Sequence, residues 1–401
     1  MFKGALPGFR DFYPQEFAER AYIMRTWREV ARRYAFVEYD GPPLEPLELY
    51  TRKSGDEIVG QLYNFTDKGS RDVALRPEMT PTVARMVAAR ANALRKPVRW
   101  FSMPQLFRYE RQQKGRLREH YQLNVDIFGA SDIAADAELV ACAIDMMRAF
   151  GLTSGDVVVR VSDRRLLQAY LLSLGVPAET VVAVYGVIDK LERTPPQVSA
   201  EKLAALGVPS DAVARIIDIA TVGFDELAGR LRHSDATAVV EEFDRFRRYV
   251  PALLGGDDSW LRLDLSIVRG LAYYTGIVFE LFDRSGEFRA ICGGGRYDTL
   301  LESLGGTDMP ALGFGMGDVV LGELLRAKGL LTATPAEADV WLAAEETVPL
   351  EEVMREAARR RAGGQGVEYA LRPQSLSKQK KAAQASGARE FVTLSTERSN
   401  G

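Results

Sequence analysis

Histidine and cysteine are almost missing from this chain, with two of each in 401 residues. His120 and His233 leave no material for a histidine-rich metal site. Cys142 and Cys292 sit in apolar surroundings and exclude a disulfide framework or a cysteine-based zinc site. That scarcity suits a reducing compartment. No run of about 18 apolar residues occurs, so nothing reads as a membrane span. The opening MFKGALPGFRDFYP lacks a signal-peptide pattern, and the expected location is the cytoplasm. An excess of one charge is also lacking. There are 52 basic and 55 acidic residues, a net charge of −3, which excludes a generally basic nucleic-acid coat but not a local basic face.

What is present is an ordinary globular composition, 46% apolar and 27% charged. The length predicts two or three domains. Apolar residues at three- and four-residue spacing predict a helix over 14–34, followed by a short strand at 36–39 that ends at Pro42-Pro43. A hairpin is expected over 62–76, then the segment RPEMTP and a helix over 82–93. Residues 98–108 and 120–128 read as two strands. Their connection carries Arg108, Arg111, Lys114, Arg116 and Arg118. Gln122 and Asp126 are four apart on the returning strand and share a face. With Arg108 on that face, the site would read both an anion and an ammonium; a buried ion pair is the competing reading.

A helix is expected over 131–150 and a strand over 156–162. From 163 to about 249 the pattern changes to short helices broken by Gly and Pro. This helical block is inserted between strand-rich halves, as simple packing or as a lid or arm for a large partner. Strands resume at Leu261. In RAICGGGRYD, residues 289–298, three successive glycines imply close approach of backbone or ligand. A strand over 311–316 and a helix over 318–328 follow. After a linker at 330–335, the tail alternates strand and helix and predicts a small parallel or mixed α/β unit.

The organising stretch is LSIVRGLAYYTGIVFE, residues 265–280. It reads as two strands joined by a tight corner, RGLAYY. Ile267 and Val268 feed the core. Arg269 presents a planar fork of donors suited to phosphate or carboxylate. Tyr273 and Tyr274 would point to opposite faces if the second strand has begun. A surface hairpin with a solvated arginine is the alternative.

Together these stretches resemble class II aminoacyl-tRNA synthetases, and among them the histidyl-tRNA synthetase family, over nearly the whole chain. Motif 1 is similar to the helix up to Tyr34, the strand after it and Pro42. Motif 2 is similar to FRYERQQKGRLREHYQLNVDIFG, residues 107–129. RGLAYY resembles the histidine-specific element, and LRPEMT and GGGRYD fit the same family. The resemblance implies an α+β fold: an antiparallel sheet of six or seven strands flanked by helices, a helical insertion and a small C-terminal α/β domain. The expected division is catalytic core at 1–160 and 256–330, insertion at 161–255, and an anticodon-binding-like domain at 331–401 that stops early.

The implied substrates are L-histidine, ATP with Mg²⁺, and tRNA(His), and a homodimer through motif 1 is expected. By matching position, Glu78 and Thr80 would hold the ammonium and carboxylate region of the amino acid. Arg108 would grip the α-phosphate and the histidine carboxylate, with Arg269 across from it. Glu110 would help place the nucleotide and its Mg²⁺. Arg116 would contact the outer phosphates or the tRNA end. Gln122 and Asp126 would bind the ammonium, and Tyr273 and Tyr274 would read the imidazole. Three departures stand out: Val320 occupies the place of the usual motif 3 arginine, Ala272 replaces a frequent acidic residue, and the tail is short. Two rivals remain, a histidine-sensing regulatory paralogue of ATP phosphoribosyltransferase and another class II synthetase such as the prolyl type.

Overall fold

The computed structural model describes residues 4–51, 60–110, 115–232, 234–269, 273–335 and 337–395. It divides into two compact units, residues 1–12 with 19–332, and residues 13–18 with 333–401. Strands of the first unit are β1 Val37–Glu38, β2 Leu44–Pro46, β3 Asn64–Thr66, β4 Asp72–Leu75, β5 Val98–Ser102, β6 Gln105–Phe107, β7 Glu119–Phe128, β8 Val157–Asp163, β9 Leu261–Leu263, β10 Ile277–Asp283, β11 Cys292–Arg296 and β12 Ala311–Gly317.

Among the described residues, a nine-stranded sheet runs β1-β5-β7-β12-β11-β10-β8-β9, with β6 paired to β7. Its centre is antiparallel, whereas the marginal pairs β1/β5 and β8/β9 are parallel. The sheet is therefore larger than the expected six or seven strands. Part of the reason is local. Pro104 cannot donate to a ladder, and the expected strand over 98–108 divides there into β5 and β6. β2, β3 and β4 form a separate antiparallel sheet, with the expected hairpin at β3/β4.

The two faces of the large sheet differ because side chains alternate along each strand. Leu123, Val125 and Ile127 of β7, Val159 and Val161 of β8, Phe279 and Leu281 of β10, and Phe314 and Met316 of β12 enter one apolar core. The helices Pro14–Arg33, Ala134–Ala149 and Asp318–Ala327 cover that face through Trp27, Ile144, Met147 and Leu324. Trp27 is fully buried, and its indole N–H meets the sulfur of Met316 at 3.2 Å. Its truncation to alanine should cost roughly 3–5 kcal/mol. Residues between the core positions, Gln122, Asn124, Asp126, Arg160, Glu280, Gly313 and Gly315, line a cavity on the opposite face.

The insertion consists of helices Arg164–Ser173, Val181–Ile188, Pro196–Ala205, Ser210–Ile217, Phe224–Leu231 and Thr237–Leu253. Asp163 ends β8 and caps the first of them, accepting from the N–H groups of Arg165 and Leu166. The apolar faces of these helices join the same core through Leu167, Tyr185, Leu203, Ile216, Leu227 and Phe246.

The second unit has the alternation expected from the sequence. Strands β13 Val340–Ala344, β14 Val367–Tyr369 and β15 Glu390–Leu394 form a parallel sheet ordered β14-β13-β15. Helices Leu350–Ala362 and Leu376–Ser386 connect them.

The expectation for the organising stretch fails. The stretch 265–280 is not a hairpin. β9 ends at Leu263, β10 begins at Ile277, and β8 lies between them in the sheet. The intervening residues form a long connection, of which 270–272 lie outside the described residues. Ile267 and Val268 are buried as expected.

Candidate active site

Three glycines, Gly293, Gly313 and Gly315, make the floor of the site, with Gly295 beside them. Gly293 pairs with Gly315, and Gly295 with Gly313, across β11 and β12. A Cβ at Gly293 would lie 2.3 Å from Cζ of Arg269, and one at Gly295 would lie 3.0 Å from the ring of Tyr274. At Gly313 it would lie 2.3 Å from Asp126 Oδ1, and at Gly315 it would lie 2.8 Å from Gln122 Cδ. These strands lack side chains because functional side chains from neighbouring segments lie on them. That is the close approach implied by the glycine triplet.

Above this floor lies a cavity of about 950 Å³. Glu78, Thr80, Arg108, Glu110, Arg116, Gln122, Asp126, Arg269, Tyr273 and Tyr274 all line it. The ten expected site residues are thus brought together, from segments separated by up to two hundred positions. Tyr273 and Tyr274 do not face opposite ways. They precede β10, their ring centroids are 4.9 Å apart, and both face the cavity.

Arg108 follows β6. Its backbone N–H donates to the carbonyl of Arg118 at 2.9 Å, and its Nε donates to the carbonyl of Pro77 at 2.9 Å. The guanidinium is thereby fixed between the RPEMT segment and the returning strand. Beyond it, Arg116 Nη1 pairs with Glu110 Oε2 at 3.0 Å. Residues 111–114, which include Arg111 and Lys114, lie outside the described residues.

Arg269 arrives by a different route. Asp264 is fully buried, accepts from Arg160 Nε at 2.7 Å and Arg262 Nη2 at 2.8 Å, and holds Ser266 by its N–H and hydroxyl. Burial opposes the Asp264 charge, but Ser266, Arg160 and Arg262 keep its pKa below the usual value. Arg269 itself has φ +28°, a left-handed conformation that costs a non-glycine residue roughly 1–2 kcal/mol. Its Nε pairs with Glu280 of β10.

The opposite end is closed and aromatic. Asp126 is 3% exposed. Its Oδ1 accepts from the Tyr297 hydroxyl, and its Oδ2 has no hydrogen-bond partner among the described residues. Burial raises its pKa from 3.8 to about 7, against the lowering effect of Tyr297. The Tyr297 ring meets Tyr273 edge-on at 5.9 Å.

Several lining residues had no assigned role in the sequence. Tyr297 stands two residues beyond the glycine triplet. Glu280 is the one carboxylate in IVFEL, and Arg160 the one charge in VVVRV; a lone charge in an apolar strand was the available signal. Arg289 and Arg193 also line the cavity. The Arg289 pKa is lowered by burial and by the charge of Arg116, with Arg193 acting in the same sense. Val320, at the expected place of the motif 3 arginine, lies 3.4 Å from a Cβ built on Gly115, while Arg289 Cδ lies 3.8 Å from the same point. Guanidiniums gathered this way suit a polyanion. His120 is held neutral, its pKa pushed down to about 3 by burial and by Arg108 and Arg10.

The fold is that of a class II aminoacyl-tRNA synthetase. A solved histidyl-tRNA synthetase from Nostoc sp. superposes with a TM-score of 0.82 at 26% identity, covering 97% of this chain and 91% of that one. The sequence matches the family described as histidyl-tRNA synthetase over residues 8–317. A histidine–tRNA ligase of Opitutus terrae is 45% identical over 390 residues, 96% of this chain and 89% of the relative. A chloroplastic/mitochondrial histidine–tRNA ligase of Arabidopsis thaliana is 43% identical over 327 residues, 81% of this chain and 66% of the relative. The chain belongs to the histidyl-tRNA synthetase family.

Proposed function

We propose that this chain is a histidine–tRNA ligase whose activation chemistry runs in the glycine-floored cavity. The observation that carries the reading is the meeting of Arg108, Arg269 and the closed Asp126 end on one sheet face. A carboxylate oxygen of histidine attacks the α-phosphorus of ATP. The bond to pyrophosphate breaks and its electrons leave with that group. The attacking carboxylate is already deprotonated, so no side-chain base is required. Arg108 and Arg269 stabilise the charge that spreads over the phosphoryl oxygens. Arg116 and Arg289, both on the cavity wall, would receive the outer phosphates. The terminal ribose hydroxyl of tRNA then attacks the carbonyl carbon of the histidyl-adenylate. The bond from that carbon to the phosphate oxygen breaks, AMP leaves with the electron pair, and the hydroxyl proton passes to the departing phosphate or to solvent.

Recognition follows the burial gradient. Asp126 lies at the apolar end among three tyrosines, which favours an imidazole N–H as its donor. Glu78, Thr80 and Gln122 remain for the ammonium. Asp126 on the ammonium, as the family resemblance implies, is the alternative assignment. An amino acid without a ring N–H would leave a buried carboxylate unpaired, the strong form of discrimination.

Mg²⁺ would arrive with the nucleotide. Among the described residues no group of three His, Cys, Asp or Glu forms a metal cage. Glu110, almost buried at the cavity wall, suits an ion that takes one or two carboxylates and fills its shell with phosphate and water oxygens, and that neutralises phosphate charge. A homodimer is supported by Val37, Leu44 and Phe65, apolar side chains exposed on β1, β2 and β3. No helix of the described residues is long and apolar enough to cross a membrane.

Histidine-dependent exchange of pyrophosphate into ATP tests the activity directly. Arg269→Ala should fold normally and lose about 10²–10³ in the rate of adenylate formation. A near wild-type single-turnover rate would remove Arg269 from the mechanism, and absence of exchange in folded wild-type protein would favour the regulatory paralogue.

A further inference from the structure

The connection that carries Arg269, Tyr273 and Tyr274 is gripped on both sides by one residue. Arg164 opens the first helix of the insertion, directly after β8. Its backbone N–H donates to the carbonyl of Gly276 at 3.0 Å. Its Nη2 reaches the other way and donates to the carbonyl of Arg269 at 3.3 Å. Positions 269 and 276, which flank the tyrosine pair, are therefore tied to a single point of the fold.

Arg164 is itself well fixed. It is 7% exposed, and its guanidinium lies 4.7 Å from the ring centre of Tyr185. Tyr185, on the helix Val181–Ile188, donates its hydroxyl to the carbonyl of Arg164 at 3.5 Å. A planar cation that stacks on one element and donates to another holds the two at a set distance, and lysine reproduces only part of that.

This grip bears on Arg269, which holds a left-handed φ of +28°. Such a conformation persists only when its surroundings over-determine it. Glu280 fixes the far end of the side chain. The carbonyl is fixed by Arg164. We propose that Arg164 is a positioning residue for Arg269, and that through Tyr185 it couples the helical insertion to histidine activation. The inference rests on the reading of Arg269 as the catalytic arginine.

The experiment compares Arg164→Lys, Arg164→Ala, Arg269→Ala and the double variant Arg164→Lys/Arg269→Ala in the full chain. Single-turnover adenylate formation and thermal unfolding are measured for each. Arg164→Lys should slow the step about 10-fold and Arg164→Ala about 100-fold, as a displaced catalytic group does. Dissociation constants for histidine and ATP should stay within about threefold, because the loss lies in the transition state. The double variant should match Arg269→Ala alone, since residues that act through one another are not additive. Arg164 variants within about twofold of wild type would overturn the inference. So would an undiminished effect of Arg164→Lys in the Arg269→Ala background, or loss of folded protein in both Arg164 variants. A wild-type rate for Arg269→Ala would instead remove the reading on which the inference rests.

Discussion

Asp126 and Gly313 are register partners across β7 and β12, and a Cβ on Gly313 would stand 2.3 Å from the carboxylate oxygen Oδ1. It would also meet the Val125 carbonyl at 2.7 Å and the Tyr297 hydroxyl at 2.8 Å. The space a side chain at 313 would need is already taken by the carboxylate, a backbone carbonyl and a phenol. Gly313→Ala should therefore cost about 1–3 kcal/mol of stability by overpacking. It should also raise the KM for histidine about tenfold or more, a change of about 1.4 kcal/mol in binding. Gly317 is the internal control, because a Cβ there meets nothing within 4 Å. Thermal melts and exchange assays across histidine concentration check both. An unchanged histidine KM in Gly313→Ala would separate Asp126 from recognition.

Glu280 holds Arg269 from the neighbouring strand, and a Cβ on Gly293 beneath would collide with the same guanidinium. Removing the carboxylate charge leaves the arginine in place but free to rotate. Glu280→Gln should lower kcat for exchange by about 10–100-fold, the scale of a small misplacement of a catalytic group. The KM for ATP should change little. Steady-state exchange with varied ATP measures both terms. A raised KM with unchanged kcat would mean that Glu280 serves ground-state binding.

Much of this site was legible because its residues obey short-range rules. Gln122 and Asp126 share a face by the period of a strand, and the triplet at Gly293–Gly295 announced a bare surface. The corner at Arg269 departs from its sequence pattern for a reason of topology. Its two flanks look like adjacent strands, but β8, about a hundred residues earlier, intervenes, and no local pattern reveals a non-local partner. The same distance hid Arg164, 105 positions from Arg269, whereas Glu280, only 11 residues on, was hidden because the connection between them does not run as a hairpin. Each is an ordinary charged residue until the sheet order places it beside Arg269. The helical block showed its periodicity in the sequence, but not which of its side chains would reach the catalytic connection.

Asp126 makes stability and function oppose each other. Its pKa in the folded chain is raised to about 7 from 3.8, with burial the main cause. Between those values the unfolded chain has lost the proton and the folded chain retains it. The unfolded state then binds fewer protons, so stability falls as pH rises through this window and levels off above it. Asp126→Asn removes that dependence. The variant should gain on the wild type in urea midpoint between pH of about 5 and about 7, with a constant advantage at higher pH, and should bind histidine poorly. Unfolding series for both proteins at several pH values test the sign. A gap that does not vary with pH would show that Asp126 ionises normally in the folded chain.

Tyr297 offers the sharpest test of what Asp126 does. Its hydroxyl donates to Oδ1, and donation to a carboxylate favours the charged form. Burial pulls the other way and dominates. Tyr297→Phe removes the donor while keeping most of the ring contact with Tyr273. The Asp126 pKa should then rise further. The acid limb of kcat/KM for histidine reports the free enzyme and the free substrate, so it should move to higher pH by the same amount. Free histidine titrates nearby, at about 6.5 for its side chain, but it does so identically for both proteins, and the displacement belongs to the enzyme. The two profiles should converge well above neutrality and differ most below it. A uniform drop across the whole range, with the limb unmoved, would assign Tyr297 to packing and leave the Asp126 charge without a part in choosing histidine.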